Sequence, residues 1–123
     1  MNPVSYLITH RRLNLLMTAA YMAAIFALSS VAGDDLPGGV SSYSTVLHVL
    51  EYGVLGFMAY PLFAKRDGAV FAAFALSFLY GVSDEVHQLF VSGRFFSYLD
   101  MAADALGSML GVAFSRGVGD VLR

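Results

Sequence analysis

Seven histidine and carboxylate side chains fall inside long apolar segments of this chain. They lie near the start of the second and fourth segments and near the end of the third, which is one side of the molecule if successive segments alternate in direction. They are His48, Glu51, Asp84, Glu85, His87, Asp100 and Asp104. Histidine and carboxylate side chains can transfer protons, bind hydroxyl and amide groups, or ligate ions such as zinc and manganese. Because a charged group in hydrocarbon is costly, the cluster predicts a functional site.

The apolar segments have the length that a membrane requires. Hydrophobic residues make up 58% of the 123-residue chain and charged residues 13%, whereas a soluble domain carries roughly 25% charged residues. A spanning helix needs about 20 predominantly apolar residues. Four stretches fit this length: about 13–32, 45–64, 69–90 and 98–115. The chain contains no cysteine, which excludes disulfides and thiolate metal sites.

The pattern within each segment favours helices. The apolar runs are continuous rather than alternating, and backbone groups in lipid must bond internally. A tight turn at 65–68 makes the second and third segments antiparallel neighbours. We therefore predict an all-α fold, a four-transmembrane-helix up-and-down bundle that forms a single domain over 1–123, with a short polar arm at 1–12. The seven ionisable residues then meet at one membrane face.

The basic residues predict the orientation of this bundle. Six of the seven lie on one side of it, and only Arg94 lies on the other. The positive-inside rule then places both termini in the cytoplasm and turns the loops 33–44 and 91–97 outward. Residues 30–32 resemble a signal-peptide cleavage site, but the apolar run before them exceeds the roughly 7–15 residues of a usual signal core. We therefore expect a retained first helix.

The second segment carries one polar stripe. His48, Glu51 and Tyr52 recur at spacings of three and four residues, which places them on one face of a helix. Glu51 lies deeper than His48, and a carboxylate at that depth requires a partner, which favours a functional role. In the alternative, His48 and Glu51 satisfy each other and anchor the helix end near the headgroups.

The third segment ends in a denser polar group. Asp84, Glu85 and Gln88 share a broad face, and His87 lies three residues after Asp84. Arg94 follows in the outer loop, where it can pair with the acids or bind a phosphate or carboxylate through two parallel hydrogen bonds. The alternatives are a helix that simply emerges into water and an arginine that anchors at the interface.

The fourth segment combines two acids with small residues. Asp100 is a first-turn acid of the kind that the helix dipole favours, and Asp104 follows one turn later on the same face. Because two acids at this spacing repel, one of them is predicted to be protonated or bonded to another helix. Ala103, Gly107 and Gly111 form a small-residue stripe that predicts close helix packing, within the chain or between copies of it.

Two blocks of residues in this chain resemble the VanZ-like membrane proteins. They are His48-x-x-Glu51-Tyr52-x-x-Leu55-Gly56 and Glu85-x-x-Gln88-x-Phe90, the second followed by Arg94, Asp100, Gly107 and Gly111. The blocks have the order and separation of that family and cover about residues 44–115. The chain departs from the family at Thr45, where a basic residue is frequent, and at Asp104, where Asn is frequent.

The resemblance implies a small multi-pass protein of the bacterial cytoplasmic (inner) membrane that is linked to the cell envelope. The family takes its name from a protein associated with teicoplanin resistance, so it also implies a link to glycopeptide susceptibility. It does not supply a settled reaction and does not identify a cofactor.

Three functions fit these residues. In the first, the site binds the headgroup of a lipid-linked envelope precursor, a related glycan or a glycopeptide-related ligand, and Arg94 holds a phosphate. The predicted ligand-binding residues are His48, Glu51, Tyr52, Asp84, Glu85, Gln88, Arg94 and Asp100. Membrane lipid is the expected partner, Gly107 and Gly111 are a candidate surface for a homo-oligomer, and nucleic acid is not expected.

The second function is an enzyme that acts on an envelope lipid at the same site. The candidate metal ligands are His48, Glu51, Glu85 and His87, and the candidate catalytic residues for acid/base chemistry are Glu51, Glu85 and His48. The third function is proton or ion passage. It ranks last, because the ionisable groups stop at one membrane half and a pathway requires polar residues on both sides.

Overall fold

The computed structural model of the chain describes residues 2–33 and 44–121. The described residues form five helices, which confirms the all-α class: α1 (Pro3–Thr9), α2 (Arg11–Ser29), α3 (Ser44–Phe63), α4 (Ala69–Gln88) and α5 (Tyr98–Val121). Residues 34–43, which make up most of the first predicted outer loop, lie outside the described residues.

The predicted arm at 1–12 contains the helix α1, and it is not polar throughout. The Asn2 side chain caps α1 by accepting a hydrogen bond from the backbone nitrogen of Ser5 at 2.8 Å, and Pro3 stands at the first helical position, which suits its fixed φ. Val4 is fully buried and packs in one cluster with Ala59, Tyr60, Ala73 and Val112. Apolar residues within the arm therefore fasten it to the bundle.

Three helical stretches are long and apolar enough to cross a membrane: Arg11–Ser29, Thr45–Phe63 and Ala69–Gln88. The predicted fourth segment is present as α5, but α5 is not apolar enough to meet the same criterion. It also continues to Val121, beyond the predicted end at residue 115. The prediction followed the apolar run, which stops at 115. Conversely, α4 ends at Gln88, short of residue 90, and Phe90 is 83% exposed.

The helices alternate in direction as predicted. The start of α3 contacts the end of α4 and the start of α5, because Tyr52 bonds Asp84 and His48 bonds Asp104. At the opposite end, the Arg11 side chain donates to the backbone oxygen of Leu62 at 3.3 Å. Successive long helices therefore run in opposite directions, whereas the count of four membrane helices and the cytoplasmic position of the termini stay predictions.

The bundle is apolar on its surface and partly polar inside. The long helices expose large hydrophobic side chains such as Leu16, Phe71 and Phe114. The buried set, in contrast, includes polar side chains from α2, α4 and α5: Asn14, Thr18, Ser29, Ser77, Asp84, Glu85, Gln88, Asp104, Ser108 and Ser115. So much exposed apolar surface marks a membrane or protein contact, and the three candidate spans make a membrane protein the interpretation that fits it.

The closest helix contact joins α3 and α5. Gly107 faces the backbone oxygen of Val49, and Gly111 faces the backbone oxygen of Gly53, so closely that a Cβ on either residue would overlap the opposite backbone. Small residues permit this approach. The predicted packing stripe is therefore used within the chain, and a homo-oligomer through these glycines stays a prediction.

Candidate functional site

His48 is held between two aspartates of α5. Its Nδ1 lies 2.6 Å from Asp104 Oδ1, and its Nε2 lies 3.7 Å from Asp100 Oδ2. With Asp104 ionised, its carboxylate only accepts hydrogen bonds and His48 Nδ1 is the donor. Nε2 is the nitrogen that faces Asp100. The sequence-based expectation that one α5 acid bonds to another helix is met by Asp104.

Asp104 is the most enclosed acid of the site. Its side chain is completely buried, and Oδ2 has no hydrogen-bond partner among the described residues. That oxygen packs against Gly81 of α4, where a Cβ would lie only 2.9 Å away. Because Gly81 has no side chain, the Asp104 carboxylate fits between α3 and α4.

Glu85 enters the same cluster from α4. It is 1% exposed, and Oε2 accepts a hydrogen bond from the backbone nitrogen of Ser97 at 3.0 Å. One nitrogen or oxygen atom from each of His48, Glu85 and Asp100 lies within 4.8 Å of the other two. Three helices that are separate in sequence thus bring a histidine and two carboxylates together.

Tyr52 forms one wall of this cluster. Its ring is fully buried and parallel to that of His48, with the centroids 6.3 Å apart, and its hydroxyl donates to Asp84 Oδ2 at 3.3 Å. Below it, the hydroxyls of Ser77 and Ser108 are 2.6 Å apart and join α4 to α5. Asp84, which was predicted to bind a ligand, is thus bonded to the neighbouring helix α3.

Glu51 and His87 lie outside the three-residue group. Glu51 is half-buried, and its backbone oxygen accepts from the Tyr21 hydroxyl at 2.7 Å. His87 stacks on Phe26 with centroids 4.5 Å apart, and its Nε2 lies 2.9 Å from the Ser30 hydroxyl. These two predicted metal ligands are therefore apart from the group, whereas His48 and Glu85 lie together with Asp100.

Arg94 binds the end of α2. Its Nε donates to the backbone oxygen of Val31 at 3.0 Å, and an Nη donates to that of Leu28 at 3.0 Å. The other Nη donates to Gln88 Oε1 at 3.3 Å, and Gln88 in turn donates to the Ser29 hydroxyl at 2.6 Å. A cation at a helix C-terminus is favourable. Two N–H groups remain for the phosphate contact predicted from the sequence.

Arg94→Lys should destabilise the fold although it keeps the charge, since one ammonium cannot span three acceptors. We expect the free energy of unfolding to fall by about 1.5–3 kcal/mol, the range of hydrogen bonds to charged groups. Thermal unfolding of the purified protein in detergent measures it. The exposed Arg12→Lys is the control and should stay within about 0.5 kcal/mol. Equal stability of the two variants would contradict this role of Arg94.

Several residues of the site were not predicted from the sequence. Ser97 is the clearest, because its hydroxyl accepts from the backbone nitrogen of Asp100 at 3.1 Å while its own nitrogen donates to Glu85. The spacing Ser97-x-x-Asp100 is a capping-box pattern and could have been found. Ser29 and Ser77 gave no comparable signal, because a single serine within an apolar helix does not reveal its partner.

The comparisons with curated proteins and with solved structures found no match. A family model does match: that of VanZ/LLP1, over residues 7–119. The match includes α2, α3, α4, nearly all of α5 and every residue of the site. Since it extends over most of the chain, this protein belongs to the VanZ/LLP1 family.

Proposed function

We propose that this chain is a multi-pass protein of the bacterial cytoplasmic membrane whose outward-facing polar site binds the headgroup of an envelope lipid or a related glycan. Through this binding it lowers susceptibility to teicoplanin. The observation that carries the proposal is the nearly complete burial of Glu85 at the end of a lipid-exposed bundle, among polar side chains of three helices. An ionisable residue in the membrane-spanning part of a protein indicates a functional site, because it is costly to keep there.

The charge distribution supports the proposed orientation. Arg11 and Arg12 begin α2, and Lys65 and Arg66 follow α3, so that these four basic residues lie at the end of the bundle away from His48. The positive-inside rule places that end in the cytoplasm. The His48 end then opens to the outer side, where envelope precursors and glycopeptides are met.

We assign α5 as the fourth membrane helix of this arrangement. It exposes Leu106, Leu110 and Phe114, which are large apolar residues suited to lipid, while Gly107 and Gly111 pack on α3. Its low apolar content comes from polar residues that the bundle buries, such as Asp104 and Ser108. Because those face protein, they do not meet hydrocarbon.

The site is rich in hydrogen-bond acceptors, which predicts the part of the headgroup that it binds. Glu51, Asp84, Glu85 and Asp100 offer carboxylate oxygens to sugar hydroxyls and to amide or ammonium groups. Arg94 is bonded to α2 and has two further N–H groups for a phosphate. A lipid-linked glycan or peptide headgroup presents both kinds of group.

Glu85→Gln should weaken headgroup binding by about tenfold or more, since hydrogen bonds to a charged group contribute about 1.5–3 kcal/mol. Two measurements test this: binding of a lipid-linked cell-wall precursor to the purified protein in nanodiscs, and the teicoplanin concentration that inhibits cells producing the variant. Cells producing the native chain should tolerate more teicoplanin than cells producing Glu85→Gln.

The control is Asp67→Asn, which neutralises an exposed acid in the turn at the opposite end. It should bind the precursor and protect cells as the native chain does, and all three proteins should accumulate in the membrane. Native-level binding by Glu85→Gln would refute the proposal.

An enzyme acting on the same lipid is the second candidate. It is favoured by His48, whose Nδ1 is fixed by Asp104 so that Nε2 is available as an acid or base. Conversion of the precursor during the binding assay would identify the site as catalytic rather than as a binding site alone.

A further inference from the structure

We infer that His48 Nε2, Glu85 and Asp100 bind a divalent transition-metal ion, zinc or manganese, and that Asp104 is the positioning residue for His48. This site goes beyond the headgroup binding proposed above and does not depend on it. The donor set of one imidazole and two carboxylates suits both ions.

The geometry of the three side chains suits a shared ion. Their donor atoms lie within 4.8 Å of one another, and His48 Nε2 lies 3.7 Å from Asp100 Oδ2. Around an ion bound at about 2.0–2.2 Å, neighbouring ligand atoms are roughly 3–3.5 Å apart. A small inward movement of the side chains, with no change in the helices, therefore closes the site.

The bond between Asp104 and His48 supports a metal site independently of the distances among the three ligands. A histidine that ligates a metal almost always donates its other ring N–H to a carboxylate or carbonyl, which fixes the ring and makes the ligating nitrogen more basic. Asp104 accepts at His48 Nδ1 at 2.6 Å, from a completely buried position and with its second oxygen unpartnered among the described residues. This arrangement turns Nε2 toward Asp100, on the side of the ring away from Asp104.

The charge balance also points to a cation. Glu85, Asp100 and Asp104 surround one imidazole, and like charges that share a site are unfavourable. Arg94, the nearest basic residue along the chain, donates to the end of α2 and to Gln88. A divalent ion between Glu85 and Asp100 compensates both carboxylates.

The competing explanation is a protonated His48 that simply pairs with the two aspartates. It requires no ion and predicts no metal binding. The two explanations are therefore separated by direct measurement on the protein.

The experiment uses the full chain, purified in detergent, stripped with a chelator and dialysed. Zinc or manganese chloride is then titrated in separate samples, with calorimetry for affinity and elemental analysis for stoichiometry. We expect about one ion per chain from one three-ligand site. Asp100→Asn, Glu85→Gln and His48→Gln should each bind at least tenfold more weakly, and Asp104→Asn about tenfold more weakly, as for other carboxylates behind a ligating histidine.

Two matched controls lie at the far end of the bundle. His10→Gln removes an exposed histidine, and Asp67→Asn removes an exposed acid. Both should bind the ion as the native chain does. Asp100→Asn is the decisive variant if His48→Gln fails to fold, because Asp100 is partly exposed and its carboxylate lies 3.7 Å from His48 Nε2, beyond hydrogen-bond distance.

The inference is overturned if the native chain shows no saturable zinc or manganese binding, or if Asp100→Asn and Glu85→Gln bind like the native chain. Its failure is separable from that of the proposed function. A chain that binds the lipid headgroup equally well with and without chelator, and never takes up metal, refutes the metal site alone. A chain that takes up one ion but binds no headgroup supports the metal site and refutes the headgroup proposal.

Discussion

Gly111→Ala is expected to lower the free energy of unfolding by about 3 kcal/mol or more, at the upper end of the effect of overpacking. The physical reason is the contact between α3 and α5. A Cβ at Gly111 would overlap the backbone oxygen of Gly53, and a backbone atom cannot move aside as the end of a flexible side chain can. The two helices must then separate, which also draws Asp104 away from His48. Thermal unfolding in detergent measures the loss.

The matched control is Gly117→Ala on the same helix. Apart from its chain neighbours and the backbone of its own helix, no atom of the described residues lies within 4 Å of a Cβ at Gly117, and the residue is exposed. Alanine is the better helix former by about 1 kcal/mol, so this variant should unfold at the same temperature or higher. Gly111→Ala as stable as Gly117→Ala would show that α3 and α5 do not pack as described here.

His48→Ala is expected to cost about 3–5 kcal/mol of stability, the range for leaving a buried charged group without its partner. The substitution leaves the completely buried Asp104 without its bond to His48 Nδ1, and the second carboxylate oxygen has no partner among the described residues to compensate. Loss of the ring also removes the surface on which Tyr52 stacks. Thermal unfolding in detergent is again the measurement.

A double-mutant cycle separates the pair from its surroundings. The His48→Ala/Asp104→Ala variant also removes the buried carboxylate that has lost its partner, so it should be more stable than His48→Ala alone, with a coupling of about 0.5–3 kcal/mol. His10→Ala serves as the control, because His10 is exposed at the other end of the bundle. Additive effects of the two substitutions would mean that His48 and Asp104 do not interact.

The amino-acid sequence by itself determined the class of the protein, most of its helices and the end of the bundle that carries the polar groups. Continuous apolar runs of membrane length predict helices because backbone groups in lipid must bond within the segment. The short turn at 65–68 made α3 and α4 antiparallel, which placed His48 and Glu85 at one end, and the short connection 89–97 placed Asp100 at that same end. The resemblance to VanZ-like proteins, based on two polar blocks, is confirmed over residues 7–119.

Only the tertiary structure decided which of these residues bond to each other. The spacing on α3 suggested His48 with Glu51, yet His48 bonds Asp104 of α5, and Arg94, predicted to face a ligand, binds the carbonyls that end α2. The close packing of Gly111 likewise proved to be within the chain. Helical periodicity determines which residues share a face, whereas partners across helices depend on the rotation and depth at which the helices pack.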